Sequence, residues 1–193
     1  MTEVVDRYEL SPMQQSMLFQ SLSAPGTGAN IEQVIISVDE ELDVPLFEQA
    51  MAVVMGRHTA MRSRFRWSDG AEPSQEVLSG VRLPATVADW GDGTPEEAAR
   101  RFEDHVRVDR FQDFDMSEVP MMRLFVARMP GSNTKVLWTF HHALLDGRSY
   151  IVLQEWLAFY DAAQRGEVPA LPPPRPYRDY IEWGRSLDIA AAA

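Results

Sequence analysis

The sequence predicts an α/β protein, a two-layer sandwich in which helices pack on a mixed β-sheet. Segments with helix-capping signals and apolar residues at helical spacing occur between segments rich in β-branched residues. The two kinds of segment alternate irregularly, unlike the regular βαβ repeat of a doubly wound fold. With 193 residues, of which 45% are hydrophobic and 24% charged, the chain is long enough for one domain with a filled core.

Helix starts are clearly marked. Ser11, Pro12 and Gln14 have the pattern of a capping box, which predicts a helix from Pro12 to about Leu22. Asp43 and Thr94 are further N-cap candidates, and they predict helices that end near Arg57 and Val108. Two later segments also have helical spacing, and they span residues 147–163 and 177–187.

Four stretches have the patterns of β-strands. Residues 30–38 (NIEQVIISV) are rich in β-branched side chains. Residues 61–67 alternate, so that Met61, Phe65 and Trp67 share one face of a strand and three arginines share the other. Residues 121–129 and 135–141 flank the turn residues PGSN, which predicts an antiparallel hairpin.

A proline-rich run, LPPPRP at residues 171–176, divides the chain. Because consecutive prolines are stiff and extended, we expect residues 1–170 to form the domain. Residues 171–193 then form a linker and a short amphipathic helix.

Composition excludes several classes of function. The net charge of −11 and the pI near 4.8 are unfavourable for binding nucleic acid or an anionic membrane surface. The sequence contains no cysteine, which excludes disulfides, thiolate zinc sites and cysteine nucleophiles. The N-terminus lacks a secretory signal pattern and no apolar run reaches membrane-span length, so we expect a cytoplasmic protein.

The candidate site is the stretch FHHALLDGRS, residues 140–149. Strand alternation directs His141 and His142 to opposite faces, so the pair is not expected to bind one metal ion. One histidine should pack inside, while the other stands at the strand end within reach of a cleft. A neutral imidazole there can accept a proton from an amine or alcohol that attacks a carbonyl, which favours acyl transfer.

Asp146 has two interpretations. It can be the N-cap of the following helix, with Gly147 permitting the turn. Alternatively, a salt bridge to Arg62, or to Arg57, holds it so that the loop aims a histidine. Ser149 can donate to a developing oxyanion, although a serine in a first helical turn commonly bonds backbone. No GxSxG sequence is present, so a serine nucleophile has no support.

HHALLDGRS resembles the HHxxxDG motif of nonribosomal peptide synthetase condensation domains, which have a chloramphenicol acetyltransferase-like fold. Four other segments are similar to condensation-domain motifs and occur in the same order. They are LSPMQQSMLF (residues 10–19), RHTAMRSRF (57–65), FDMSEVPMMR (114–123) and YRDYIEW (177–183).

This resemblance implies a function. The parent enzyme would join an acyl or peptidyl group on a donor carrier protein to the amine of an aminoacyl group on an acceptor carrier protein. His142 would be the catalytic histidine, and His141, Asp146 and Gly147 would support it. No metal or directly bound cofactor is implied, since the 4′-phosphopantetheine arms belong to the carrier proteins. Adjacent synthetase modules would be further partners.

The sequence departs from the condensation-domain pattern in two residues and in length. Thr59 replaces the glutamate that follows RH, and Arg148 follows DG. Condensation domains resemble two lobes in a V, and this chain corresponds to the N-terminal lobe, so the C-terminal lobe is missing. Two alternatives remain open, an ester-forming O-acyltransferase and a non-catalytic lobe that recruits carrier proteins. Epimerisation is disfavoured, because its second-lobe glutamate is unavailable.

Overall fold

Seven strands form two sheets in the computed structural model, which describes residues 2–68, 70–146 and 149–186 except for the Ser149 side chain. The strands are β1 Val4–Glu9, β2 Ile31–Val38, β3 Ser63–Arg66, β4 Ser74–Leu78, β5 Ala85–Asp89, β6 Met122–Met129 and β7 Asn133–His141. The helices are α1 Pro12–Ser23, α2 Val44–Arg57, α3 Pro95–Asp109, α4 Ser149–Gln164 and α5 Tyr177–Ser186, with short 3₁₀ turns at Thr59–Arg62 and Pro130–Ser132.

The larger sheet has the order β2-β7-β6-β5. Strands β2, β7 and β6 are antiparallel neighbours, whereas β5 runs parallel to β6. The predicted mixed sheet and the β6–β7 hairpin are therefore confirmed. This sheet positions the candidate site, because His141 is the last residue of β7.

A smaller antiparallel sheet, β1-β4-β3, was not expected from the sequence. Its central strand, β4, buries the polar residues Gln75 and Glu76 next to Val77. The sequence of β4 therefore lacks the alternation of apolar and polar residues that predicts a strand. Strand β1 also lacks a recognisable pattern, because its apolar residues Val4 and Val5 are exposed and mark no buried face. Both strands depend on partners far away in the sequence.

The helices begin where their capping residues indicate. Ser11 and Thr94 each form a complete capping box, and the Asp43 carboxylate accepts a hydrogen bond from the Leu46 N–H. The side-chain oxygens of these N-caps accept bonds from N–H groups that have no partner within the first turn. The predicted bounds agree with the structure to within a few residues.

The larger sheet is covered on both faces. Leu124 and Val126 of β6 join the main core under α2 and α4, whereas Phe125 and Ala127 face α3. Trp156 of α4 holds α4 against α2. Its ring stacks on Phe47 with centroids 4.1 Å apart, and its Nε1–H donates to the Phe47 carbonyl at 2.9 Å.

One predicted strand is shorter than expected. Residues 59–62 form a 3₁₀ turn, and extended backbone begins only at Ser63. Within the strand the alternation holds, since Ser63 and Phe65 are buried and Arg64 is only partly so. Arg62 lies before the strand, so alternation does not decide which way its side chain points.

The C-terminal segment contacts the rest of the described chain along its length. Leu171 packs against the main core, and the Pro172 carbonyl accepts a hydrogen bond from Arg57 at 2.6 Å. On α5, Arg178 pairs with Asp6 of β1. The stiff proline run is thus anchored at both ends. None of the described helices is both long and apolar enough to cross a membrane.

Candidate functional site

The segment that follows β7 is held by hydrogen bonds from two sides. The His142 N–H donates to the Asn30 carbonyl at 2.7 Å, which ties the segment to the start of β2. From α1, the Gln14 side-chain amide donates to the Ala143 carbonyl at 3.1 Å. Since Gln14 is only 3% exposed, this bond is buried and fixes the loop firmly.

His141 is a buried residue with a fixed tautomer. Its Nδ1 lies 3.1 Å from the Ala143 N–H, which can only donate, so Nδ1 carries no proton. In the neutral ring Nε2 then carries the proton and donates to Ser21 Oγ at 3.0 Å. Burial, assisted by the neighbouring His142, lowers the pKa of His141 to about 4. His141 is therefore neutral near pH 7 and supports the loop.

His142 has the opposite tautomer. Its Nδ1 lies 2.8 Å from the Leu145 carbonyl oxygen, which can only accept, so Nδ1 carries the proton. The lone pair of the neutral ring is then on Nε2. In the described part of the chain, Nε2 has no hydrogen-bond partner, and the residue is partly exposed. Of the two histidines, His142 is the one that can accept a proton from a ligand.

The two imidazoles thus lie in different environments, as the sequence predicts: His141 is buried at the end of β7, and His142 is partly exposed in the turn that follows, where strand alternation no longer applies. The described ranges contain no group of three or more His, Asp or Glu side chains that could hold a metal ion.

Arg57 and Arg62 have other partners than the predicted one. Arg57 Nε lies 2.8 Å from Glu155 Oε2, a carboxylate that His58 also contacts at 3.0 Å. Arg62 donates to the backbone carbonyls of Met55, at 2.8 Å, and Leu78. A partly buried guanidinium needs acceptors, and Arg62, at the end of the 3₁₀ turn, finds them in one carbonyl of α2 and one of β4. Among the described contacts of these two arginines, Asp146 does not occur.

Asp146 is exposed and lies near α5. Burial is the main cause that raises the pKa of Tyr177, and the negative charge of Asp146 contributes to the same rise. Gly147 lies outside the described residues, as does the side chain of Ser149, so their predicted roles remain predictions.

Sequence reasoning missed three residues that build the site. Gln14 was interpreted as part of a capping box and of the motif LSPMQQSMLF; its Oε1 accepts from the Ser11 N–H as the box predicts, but the bond from its amide to Ala143 was not predicted. Ser21 and Asn30 have no signal in the sequence, because they meet the loop only after α1 and β2 pack beside β7.

The family described as Condensation domain matches residues 4–191. Over 193 residues the chain is 35% identical to a polypeptide of the linear gramicidin synthase of Brevibacillus parabrevis, and over 191 residues it is 30% identical to surfactin synthase subunit 3 of Bacillus subtilis strain 168. These alignments cover 100% and 98% of the chain but only 2% and 15% of the two relatives.

Solved structures give the same fold. The starter condensation domain of rhizomide synthetase RzmA superposes with a TM-score of 0.83 at 19% identity, and SgcC5 from Streptomyces globisporus with a TM-score of 0.78 at 24% identity. Each comparison covers 96% of this chain, but 46% of the RzmA chain and 43% of the SgcC5 chain. The chain therefore spans slightly less than half of these structures.

Proposed function

The chain belongs to the condensation domain family, and from this premise we propose that it is the N-terminal lobe of an amide-forming domain in which His142 is the catalytic histidine. The observation that carries the proposal is the hydrogen bond from His142 Nδ1 to the Leu145 carbonyl. That bond presents the Nε2 lone pair to a substrate, whereas the Nδ1 lone pair of His141 is occupied by a backbone N–H.

The reaction that we propose is acyl transfer from a thioester to an amine. His142 Nε2 accepts a hydrogen bond from the amine of an aminoacyl group, which orients the amine toward the thioester carbonyl. As the C–N bond forms, the amine proton moves to Nε2, and it is then passed to the thiolate as the C–S bond breaks. The products are an amide and a free carrier thiol, so atoms and charge balance.

The partners follow from this chemistry. Both reacting groups would be carried on 4′-phosphopantetheine arms of donor and acceptor carrier proteins, and the chain itself would bind no metal. A second lobe would supply the other wall of the cleft. The similarity to parts of large synthases supports adjacent modules as further partners.

The test combines the chain with the C-terminal lobe of a condensation domain and two loaded carrier proteins, and it follows carrier-bound amide product by mass spectrometry. We expect His142→Ala to lower product formation at least about a hundredfold, as for removal of a general base. His105→Gln is a matched control. His105 belongs to α3 and stacks on Phe125, on the face of the sheet opposite α4.

Two results would contradict the proposal. Product formation by His142→Ala at the wild-type rate would remove the catalytic assignment, and product formation by the chain without a second lobe would remove the two-lobe requirement. Replacing the aminoacyl acceptor with a hydroxyacyl acceptor tests the ester-forming alternative, which predicts faster reaction of the alcohol.

A further inference from the structure

A pocket of about 110 Å³ opens beside His141, on the side of Ser21. It lies between the end of α1, the start of β2 and the segment 113–116. Its apolar lining residues are Leu22, Ala29, Ile31, Trp67, Phe114 and Met116. An apolar cavity of about 150 Å³ holds a benzene ring, so this pocket has room for a branched aliphatic side chain, while the polar groups of a ligand would lie at its rim, where Asp113 is exposed.

Ser21 offers a hydrogen-bond donor to this pocket. Its Oγ accepts from His141 Nε2 at 3.0 Å, and Asn30 Nδ2 approaches it at 3.4 Å. Both contacts use oxygen lone pairs, so the hydroxyl proton remains for an acceptor. None of the hydrogen bonds within the described part of the chain uses that proton, and Ser21 lines the pocket.

The tautomer of His141 also excludes one role for Ser21. Because the Ala143 N–H occupies Nδ1, the imidazole donates to Ser21 and cannot remove its proton. Ser21 is therefore not activated as a nucleophile. It is positioned to recognise a ligand, not to react with one.

The charged groups of the pocket are carboxylates. Asp113 accepts a hydrogen bond from the Gly26 N–H through Oδ2 at 2.6 Å, which fixes the carboxylate, and no described residue donates to its Oδ1. Asp115 is the second acidic residue of the lining, and it bonds the N–H and hydroxyl of Ser117. Lysine and arginine do not occur among the described lining residues.

We propose that this pocket binds a primary ammonium group carried on a small branched aliphatic body. The ammonium binds Asp113 Oδ1, the aliphatic body packs against the apolar lining, and a carbonyl of the ligand accepts the Ser21 hydroxyl proton. An ammonium held by a carboxylate has no lone pair for attack, so this is a recognition site. It is distinct from His142 Nε2 and does not depend on amide formation.

The test measures binding alone, with three small probes followed by ¹H–¹⁵N NMR titration. L-Leucinamide has the ammonium, the aliphatic body and the carbonyl, 3-methylbutylamine lacks the carbonyl, and N-acetyl-L-leucinamide lacks the charge. We expect millimolar binding, with leucinamide the tightest of the three. Shifts should concentrate at residues 21–31 and 113–116.

Two variants separate the contacts. Asp113→Asn keeps an acceptor for the Gly26 N–H and removes the charge, so both amines should bind at least about threefold more weakly. Ser21→Ala should weaken leucinamide about fivefold and leave 3-methylbutylamine unchanged. Asp104→Asn is the control, since its exposed carboxylate lies on α3 and pairs with Arg107.

Four results would overturn the proposal or one of its contacts. Equal binding of leucinamide and its N-acetyl derivative would overturn the proposal, as would unchanged amine binding in Asp113→Asn or absence of binding up to about 100 mM. If Ser21→Ala weakened the binding of leucinamide and of 3-methylbutylamine to the same extent, the proposed hydrogen bond from the Ser21 hydroxyl to the ligand carbonyl would be overturned.

Discussion

Replacing His141 with asparagine should make the protein less sensitive to acid. An asparagine Oδ1 can take the place of the imidazole Nδ1 as acceptor for the Ala143 N–H, but the amide does not titrate. We therefore expect the wild type to lose about 2 kcal/mol more of its unfolding free energy than His141→Asn when the pH falls from 7 to 5.

The magnitude follows from the lowered pKa of His141. In the unfolded chain a histidine titrates near 6.5, whereas burial lowers the folded value to about 4. The unfolded state thus takes up the proton first, so the stability from neutral His141 is present above pH 6.5 and is lost as the pH falls toward 4. About 2 kcal/mol is lost by pH 5, and roughly 3 kcal/mol once both states are protonated.

Urea denaturation at pH 7, 6 and 5, followed by tryptophan fluorescence, measures the difference between the two proteins. Asp109 and Glu155 also have lowered pKa values, so their contributions fall with pH, but they do so in both proteins and cancel in the difference. A difference in unfolding free energy that stays constant from pH 7 to pH 5 would refute the assignment of His141 as a buried neutral residue.

Two further substitutions test the packing and the buried charge, both by urea denaturation at pH 7. Trp156→Phe should cost about 1–3 kcal/mol of unfolding free energy, because it removes the buried hydrogen bond to the Phe47 carbonyl and part of the ring that packs on Phe47; a cost near zero would contradict that bond. Arg123→Ala should cost about 3–5 kcal/mol, because it leaves buried Asp109 without its cation. Among the described residues, the exposed Arg107 forms a salt bridge with Asp104, which is exposed too. Arg107→Ala should therefore change stability by less than about 1 kcal/mol, and a cost equal to that of Arg123→Ala would contradict the role of burial.

The helices and the larger sheet could be predicted because their signals are local. A capping box such as Ser11 to Gln14 lies within four residues, and the apolar faces of β6 and β7 repeat along one strand. The smaller sheet could not be predicted, because its central strand buries Glu76, whose partners are Arg7, Arg64 and Arg66. A carboxylate is buried only when such partners surround it, and β1 supplies one of them from a distant part of the chain.

The candidate site shows the same division between local and distant determinants. The sequence predicts one buried and one accessible histidine, which the structure shows, but alternation along a strand is not the reason: β7 ends at His141, so His142 lies in the following turn, just as Arg62 lies in a 3₁₀ turn before β3. The resulting contacts with the Met55 and Leu78 carbonyls come from α2 and β4, and the smaller sheet that includes β4 was not foreseen.

The tautomers of the two histidines are set by the backbone of the loop that follows β7. The first histidine is oriented by the N–H of the residue two positions later, and the second by the carbonyl three positions later. Both partners are backbone groups of the same short loop, so one turn assigns opposite tautomers to adjacent imidazoles. This explains how a buried histidine can lie directly beside one whose Nε2 has no hydrogen-bond partner among the described residues. The two histidines can be recognised in the sequence, but the loop backbone decides which ring nitrogen of each is occupied by a hydrogen bond.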